Sequence, residues 1–305
     1  MFTLRQYLLA LLDSRGLTRT LGEIDVCRDE QGRPCFSAGN SAAVFRIRLG
    51  GRIRSLRCYL RPMRHLKEIY GQRLLEKELY LHTSPETGVW VDTVLGDWIE
   101  GSTLHETVAQ AAALRDRESL QILVRLFDRL ALALVTDDRA HGDLKPENII
   151  VGDDGTLCPI DFDASYLPAF AGEISPELGT AAYQHPARTA ADFDERIDDY
   201  PAALISTALH ALAEDPTLWD RYGSSDGLLY TPQRIASDPA YRETLALFEK
   251  RGMAVQYRIA QLLTAPTLRL FGLAELLAEA VREKPAARSG TEAETPELFV
   301  ENGRW

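Results

Sequence analysis

The stretch HGDLKPENIIV, residues 141–151, carries most of the information about the fold. It places a histidine, two acids, a lysine and an asparagine directly before an apolar run that is typical of a buried strand. A turn into a strand needs only a glycine or an asparagine, so Asp143, Lys145 and Asn148 require another explanation. The sequence IDFD, residues 160–163, again places carboxylates beside a short predicted strand.

Two loops with carboxylates at strand ends suit a site that holds a metal ion and moves a proton. Phosphoryl transfer has both needs, because a carboxylate must orient the attacking hydroxyl and Mg²⁺ must bridge phosphate oxygens through hard oxygen ligands such as Asp and Asn. The pattern therefore favours phosphoryl transfer.

Composition limits the partners of such a site. The chain has 45 acidic and 34 basic residues, a formal charge of -11, which argues against a general surface for nucleic acid or anionic membrane. The four cysteines have no C-x-x-C or metal-ligand spacing, which is typical of reduced thiols. No signal-peptide pattern and no apolar run of membrane-spanning length is found. These features predict a cytoplasmic protein with no nucleic-acid or membrane partner.

Hydrophobic periodicity changes along the chain. Residues 42–49 and 52–60 have the texture of strands and flank Gly50-Gly51, which predicts a hairpin. A helix is predicted over residues 64–75, followed by strands at 78–82 and 89–95. These patterns predict four parts: a helical extension at 1–34, a strand-rich part at 35–97, a mainly helical part at 98–284 and a flexible tail at 285–305.

Five ordered segments carry a resemblance to a known family. HGDLKPEN resembles the H-R-D-L-x-x-x-N catalytic loop of protein kinases, and DFD at 161–163 resembles their D-F-G loop. WIEGSTL (98–104) is similar to the hinge between kinase lobes, GTAAYQHP (179–186) to the end of the activation segment, and IDDYPAAL (197–204) to the start of the central helix of the large lobe. The chain thus resembles a divergent bacterial branch of the eukaryotic-like serine/threonine protein kinases.

The resemblance implies a two-lobed α+β fold, with an antiparallel β-rich first lobe and a mainly helical second lobe. It implies ATP and Mg²⁺ as cofactors and serine or threonine of a protein as the acceptor. Asp143 would be the catalytic base, Lys145 would steady the transferred phosphate, and Asn148 and Asp161 would hold Mg²⁺. His141 is expected to pack and hydrogen-bond under the loop rather than touch substrate.

The implied nucleotide site departs from the family pattern. The glycine-rich loop should read G-x-G-x-x-G-x-V, but SAGNSAAV at 37–44 keeps only one of these glycines. Gly39, Asn40 and Val44 are the residues expected to contact the nucleotide there. The adenine is expected to hydrogen-bond to backbone near Asp97 and Ile99.

Further departures concern charge. Arg57 stands where the family has the lysine of V-A-I-K, and an arginine fork pairs with phosphate in a different geometry. Its expected acidic partner is Glu68, in the middle of the predicted helix, with Glu76 as the alternative. Gly142 replaces the arginine of H-R-D, which suggests that phosphorylation of the activation segment is not obligatory.

Two other functions stay open at this point. Arg57 and the reduced glycine loop are compatible with a pseudokinase that binds nucleotide or acts as a scaffold. Small-molecule kinases of the aminoglycoside or choline type also use H-G-D-x-x-x-x-N. Lys145 and the segment at 179–186 favour a protein substrate, and intact Asp143, Asn148 and Asp161 favour catalysis.

Overall fold

The computed structural model describes residues 1–282, so the tail predicted at 285–305 lies outside the described residues. The chain divides into two compact units, Met1–Ile99 and Glu100–Trp305. The first unit is built mainly of antiparallel strands, and the second is mainly helical. The predicted α+β class, a β-rich part followed by a helical part, is confirmed.

The first unit contains a six-stranded antiparallel sheet. The sheet order is β1-β3-β4-β6-β5, with β2 paired to the start of β3. Its elements in chain order are α1 (Leu4–Leu12), β1 (Asp25–Val26), β2 (Phe36–Ala38), β3 (Ala42–Leu49), β4 (Arg52–Tyr59), α2 (Leu66–Tyr70), β5 (Leu74–His82) and β6 (Gly88–Asp97).

The β3–β4 hairpin forms where alternation predicted it. Phe45 and Leu56 are cross-strand partners, and both are fully buried on one face of the sheet. Gly50 and Gly51 have φ values of 56° and 78°, which the two central residues of a tight hairpin turn require and which glycine adopts without steric cost. The predicted strands at 42–49 and 52–60 are confirmed, the second ending at Tyr59.

The helix predicted over residues 64–75 is wrong in extent. Helix α2 covers only Leu66–Tyr70, and a short 3-10 turn leads directly into β5. Gly71 has a φ of 52°, which ends the helical conformation. Leu74 and Leu75 then pair with β6 instead of continuing a helix. Sheet pairing overrides the helical periodicity of these apolar residues.

The N-terminal residues are part of the core of the first unit. Tyr7 and Leu11 of α1 are buried in the same apolar cluster as Phe45 of β3. The Tyr7 hydroxyl donates to the carbonyl of Tyr59 at 2.6 Å. The buried carboxylate of Glu78 on β5 accepts hydrogen bonds from the backbone N–H groups of residues 19–21. Residues 1–34, predicted as an extension, therefore contribute to this core.

The second unit has a helical core and a small antiparallel sheet, β7-β8-β9. Its elements are β7 (Gly101–Thr103), α3 (Leu104–Ala113), α4 (Arg117–Thr136), β8 (Ile149–Gly152), β9 (Leu157–Pro159), α5 (Asp199–Glu214), α6 (Leu218–Tyr222), α7 (Pro239–Arg251), α8 (Ala254–Leu262) and α9 (Leu273–Arg282). Helices α4 and α5 form its centre, and the loop at 137–148 joins α4 to β8. Across residues 1–282, every helix is too short or too polar to span a bilayer.

Candidate active site

The predicted site residues divide between the two units. Those of the second unit lie in the loop before β8 and in the loop after β9, and those of the first unit lie on or beside strands β2, β3, β4 and β6 and on helix α2. The second-unit residues are Asp143, Lys145, Asn148 and Asp161; the first-unit residues are Gly39, Asn40, Val44, Arg57, Glu68, Asp97 and Ile99.

Asp143 lies at the centre of a hydrogen-bond network. Its Oδ1 accepts the backbone N–H of Thr180 at 2.6 Å, and its Oδ2 accepts the side-chain amide of Asn148 at 3.3 Å. The Nζ of Lys145 lies 3.4 Å from Oδ2. The Asp143 side chain is 17% exposed, so the carboxylate is held by its partners but is still accessible to an acceptor group.

Lys145 and Asn148 are held by further contacts. The Lys145 ammonium donates to the Thr180 hydroxyl at 2.9 Å. The Asn148 amide nitrogen also donates to the backbone carbonyl of Asp143 at 2.9 Å. Because the amide nitrogen makes both of these bonds, the amide oxygen is the atom left for a metal ion.

His141 supports the loop that carries Asp161. It is 2% exposed, its Nε2 hydrogen-bonds the carbonyl of Ile160 at 2.8 Å, and its ring lies 5.0 Å from that of Phe162. Its Nδ1 accepts the backbone N–H of Asp143 at 3.3 Å, which requires the tautomer that carries the proton on Nε2. The expectation that His141 packs under the loop is confirmed. It contacts both neighbours of Asp161.

Asp198, the residue directly before α5, accepts hydrogen bonds from the start of the loop at 141–148. Its two carboxylate oxygens accept the backbone N–H groups of His141 and Gly142, the latter at 3.0 Å. The side chain is 1% exposed. Burial raises the pKa of Asp198, and the backbone N–H donors of His141 and Gly142 oppose that shift by favouring the charged form.

Gly142 has a conformation that excludes a side chain. Its φ is 80°, and a Cβ built on it would lie 2.0 Å from the carbonyl oxygen of Ala164. The arginine of the H-R-D motif therefore has no room at this position. The departure from the family pattern follows from the backbone path of this loop.

Asn148 and Asp161 fit the role of Mg²⁺ ligands in their chemistry. Both offer hard oxygen atoms, and the backbone N–H of Ile160 donates to the carbonyl of Asn148 at 2.8 Å, which keeps the two loops side by side. Within residues 1–282 no cluster of three or more acidic, histidine or cysteine side chains could hold a metal ion. A site with few protein ligands is compatible with Mg²⁺, which usually keeps several waters and binds substrate phosphates.

The expected nucleotide residues of the first unit lie on one hairpin and its neighbour. Gly39 and Asn40 are exposed in the turn between β2 and β3, where the Gly39 N–H donates to the Ala42 carbonyl at 2.9 Å. Val44 and Arg57 are cross-strand partners, so their side chains share one face of the sheet. The Arg57 guanidinium lies 5.9 Å from the centre of the Tyr59 ring.

The backbone after β6 carries the residues expected near adenine. Asp97 ends β6, its carboxylate pairs with Arg54 at 2.7 Å, and its carbonyl accepts the Ser55 hydroxyl at 3.0 Å. A carbonyl oxygen has two lone pairs, so this one retains capacity for a second donor. Ile99 is the last residue of the first unit.

Within the described residues, the structure shows no ion pair between Glu68 and Arg57. Glu68 is exposed on helix α2 and forms no ion pair among residues 1–282. The alternative, Glu76, lies on β5 and pairs with Lys67 at 3.3 Å. The acidic partner of Arg57 therefore stays a prediction.

Sequence reasoning did not assign roles to Thr180, Asp198 or Arg188. Thr180 and Asp198 lie in segments that the sequence had marked, GTAAYQHP and IDDYPAAL, but the sequence could not show which loop atoms they bind. Arg188 donates to the carbonyl of Gly142 at 3.0 Å. No motif pointed to it.

Similar proteins were found over parts of the chain. It is 28% identical over 172 residues to CBL-interacting protein kinase 17 of Oryza sativa subsp. japonica, covering 53% of this chain and 35% of that protein. It is 34% identical over 113 residues to the serine/threonine-protein kinase PknL of Mycobacterium tuberculosis, covering 35% of this chain and 27% of that protein. The matched part therefore spans about a third or less of these curated relatives. No family model matches the chain.

The β-rich first unit and the mainly helical second unit are consistent with a kinase-like fold. Over the matched parts, the chain is similar to serine/threonine protein kinases.

Proposed function

We propose that the protein is an ATP- and Mg²⁺-dependent kinase that transfers the γ-phosphate to serine or threonine of a protein substrate. The observation that carries the proposal is the network around Asp143. The Lys145 ammonium lies 3.4 Å from the Asp143 carboxylate and donates to the Thr180 hydroxyl at 2.9 Å, and the Thr180 backbone N–H donates to the same carboxylate at 2.6 Å. This set can position a hydroxyl acceptor and neutralise a phosphoryl group during transfer.

Each residue then has a separate task. Asp143 accepts a hydrogen bond from the acceptor hydroxyl and takes its proton as the new P–O bond forms, while the bond between the γ-phosphorus and the β–γ bridging oxygen breaks and ADP leaves. Lys145 neutralises charge on the transferred phosphoryl group. Asn148 and Asp161 would hold Mg²⁺, which supplies charge neutralisation at the phosphates when bound. Gly39, Asn40, Val44 and Arg57 would contact ATP, and backbone near Asp97 and Ile99 would bind adenine.

The segment after Gly179 supports a protein acceptor. Thr180 contacts both Asp143 and Lys145, and the next residue, Ala181, is small and exposed. The side chain of Gln233 donates to the Ala181 carbonyl at 2.9 Å, which holds the segment against the helical part. An acceptor peptide could lie along this segment beside the base.

The test is a transfer assay with labelled ATP, Mg²⁺ and a generic basic protein. We expect label on serine or threonine, and a loss of about 10²- to 10⁴-fold in Asp143→Asn. Asp153→Asn, in the exposed turn after β8, is the matched control and should keep full activity. Asp161→Ala should remove the Mg²⁺-dependent turnover while the protein stays folded.

Other outcomes identify the alternatives. Label on an aminoglycoside or choline, with none on protein, would show a small-molecule kinase. ATP binding without turnover on any acceptor would show a pseudokinase. Either result would overturn the proposal.

A further inference from the structure

The peptide that precedes Asp143 is held from two sides. The N–H of Gly142 donates to Asp198 at 3.0 Å, and the carbonyl of Gly142 accepts Nη1 of Arg188 at 3.0 Å. Because this carbonyl belongs to the peptide bond that links Gly142 to Asp143, its orientation helps to set the direction in which the Asp143 side chain leaves the backbone.

Arg188 is an unusual residue for a buried position. Its side chain is 9% exposed, and it forms no ion pair with a carboxylate among residues 1–282. Nη1 also donates to the side chain of Gln184, whereas Nε and Nη2 are buried without a hydrogen-bond partner in the described structure. Burial lowers the pKa of Arg188, and the charges of Asp198 and Asp143 oppose this.

Burial of such an arginine is unfavourable in free energy. A charged group taken out of water without a paired carboxylate costs free energy, so stability alone gives no reason for an arginine here. Its Nη1 contact is to the backbone carbonyl beside the catalytic base. The bond from Nη1 to the Gly142 carbonyl therefore suggests why an arginine is buried at this position.

The segment that ends in Arg188 also contacts the base at its other end. Thr180 donates to the Asp143 carboxylate, and the glycine before it is packed so tightly that a Cβ on Gly179 would lie 2.7 Å from the Gly142 carbonyl oxygen. The stretch 179–188 therefore holds the carboxylate through Thr180 and the preceding peptide through Arg188.

We propose that Arg188 is a positioning residue, which orients the Asp143 carboxylate by holding the Gly142 carbonyl from the end of the 179–188 segment. This contact does not require phosphorylation of the protein, because Nη1 of the buried Arg188 already donates to the Gly142 carbonyl. The inference rests on the proposed kinase function for its activity readout, but its geometric part can be measured separately.

The matched control is Arg196, which makes the same kind of contact elsewhere in the second unit. Its guanidinium donates to the carbonyl of Val135 at the end of α4. Its Nε is likewise buried without a hydrogen-bond partner in the described residues, and it lies 3.7 Å from Oε1 of Glu195. Arg188→Gln and Arg196→Gln therefore each remove an arginine-to-carbonyl bond, and only the bond of Arg188 reaches the loop at 141–148.

The experiment compares Arg188→Gln, Arg188→Lys and Arg196→Gln with the parent, all treated with phosphatase and assayed well below their unfolding temperatures. We expect Arg188→Gln to lower kcat about 10- to 100-fold while the Kd for ATP with Mg²⁺ changes less than about two-fold. Arg188→Lys, which keeps one donor for the carbonyl, should recover part of kcat. Arg196→Gln should keep the parental kcat.

Hydrogen–deuterium exchange on the same proteins gives a readout that does not need activity. Peptides covering residues 141–148 and 179–182 should exchange faster in Arg188→Gln than in Arg196→Gln. If exchange and kcat in folded Arg188→Gln equal those of the control, the positioning role is wrong. If Arg188→Gln does not fold, the same comparison is made with Arg188→Lys. If the unsubstituted protein shows no phosphoryl transfer, the proposed function is wrong. The exchange comparison still tests the role of Arg188 in that case.

Discussion

The Asp143 and Asp198 carboxylates of the second unit and three arginines of the first unit have different kinds of contact. In the second unit the carboxylates of Asp143 and Asp198 accept backbone N–H groups. In the first unit the guanidinium groups of Arg46, Arg57 and Arg73 lie over aromatic rings, at 5.6, 5.9 and 5.5 Å from the ring centres. Hydrogen bonds to backbone tolerate little change in length or angle, whereas a cation over a ring can shift at small cost.

The two kinds of contact suit two different tasks, the positioning of reacting atoms and the binding of a nucleotide. The second unit fixes the atoms that would take part in proton and phosphoryl transfer, where small displacements are costly. In the first unit, Arg57 is the cation that the proposed function places at the phosphates of ATP. We therefore expect substitutions in the loop at 141–148 of the second unit to disturb geometry and stability together, and substitutions of Arg57 in the first unit to act mainly on ligand contacts.

The strongest test of this difference is Gly142→Ala in the second unit. We expect the free energy of unfolding to fall by about 3 to 5 kcal/mol, because the new Cβ meets the Ala164 carbonyl and the residue must hold a positive φ. Gly155→Ala is the control, since Gly155 has the same φ of 80° with no atom within 4 Å of its built Cβ. It should lose only about 1 kcal/mol. Urea unfolding measures both, and equal losses would contradict the steric explanation.

In the first unit, Arg57→Ala should lower phosphoryl transfer about 10²-fold, near 3 kcal/mol, because charge at phosphate stabilises the transition state. Arg57→Lys should keep transfer within about tenfold of the parent, since it keeps the charge. The unfolding free energy should change little in either variant. Transfer that is present in the parent and unchanged in Arg57→Ala would remove this arginine from the site.

A moderate effect is expected at Asp199, the first residue of α5. Burial raises its pKa to about 7, and one N–H donor, from Leu270, partly offsets this. Because the folded pKa lies above the unfolded value near 4, the folded state binds the extra proton, and stability falls as pH rises from about 4 to about 7.

Asp199→Asn keeps an acceptor for Leu270 and removes the buried charge. We expect it to raise the unfolding free energy by about 1 to 2 kcal/mol at pH 8 and to change it little at pH 4. Urea unfolding at several pH values measures this, with Asp153→Asn as the exposed control. A gain of the same size at both pH values would contradict the assigned pKa.

The smallest effect is expected at Glu68. Its carboxylate is exposed, so solvent screens any pairing, and Glu68→Gln should reduce transfer by about threefold or less. Glu76→Gln should have no effect on transfer. A double-mutant cycle of Glu68→Gln with Arg57→Lys measures the coupling, and a value above about 1 kcal/mol would identify Glu68 as the partner of Arg57 in the working protein.

Local patterns predicted much of the fold. The β3–β4 hairpin follows from alternation and two glycines. The helix predicted over 64–75 failed because Leu74 and Leu75 pair with β6, a contact between segments that no local pattern contains. Short apolar runs remain ambiguous between helix and strand for this reason.

The candidate site was predictable to the extent that its residues lie close in sequence. Asp143, Lys145 and Asn148 occupy one loop, and their spacing pointed to their proximity. Arg188 and Asp198 reach Gly142 across separations of 46 and 56 residues. Their roles depend on how α5 and the 179–188 segment pack, and only the structure shows this.

The buried N-terminal helix has a consequence for anyone who trims or tags this protein. The motif resemblance begins only near residue 37, yet Tyr7 and Leu11 belong to the same apolar cluster as Phe45. A shortened chain starting at the first motif would leave that cluster open to water and the Glu78 carboxylate without its backbone donors. It would aggregate or be degraded, and its failure in an assay would say nothing about catalysis. The smallest part of the chain that folds therefore includes residues before 37, where the resemblance to kinase motifs begins.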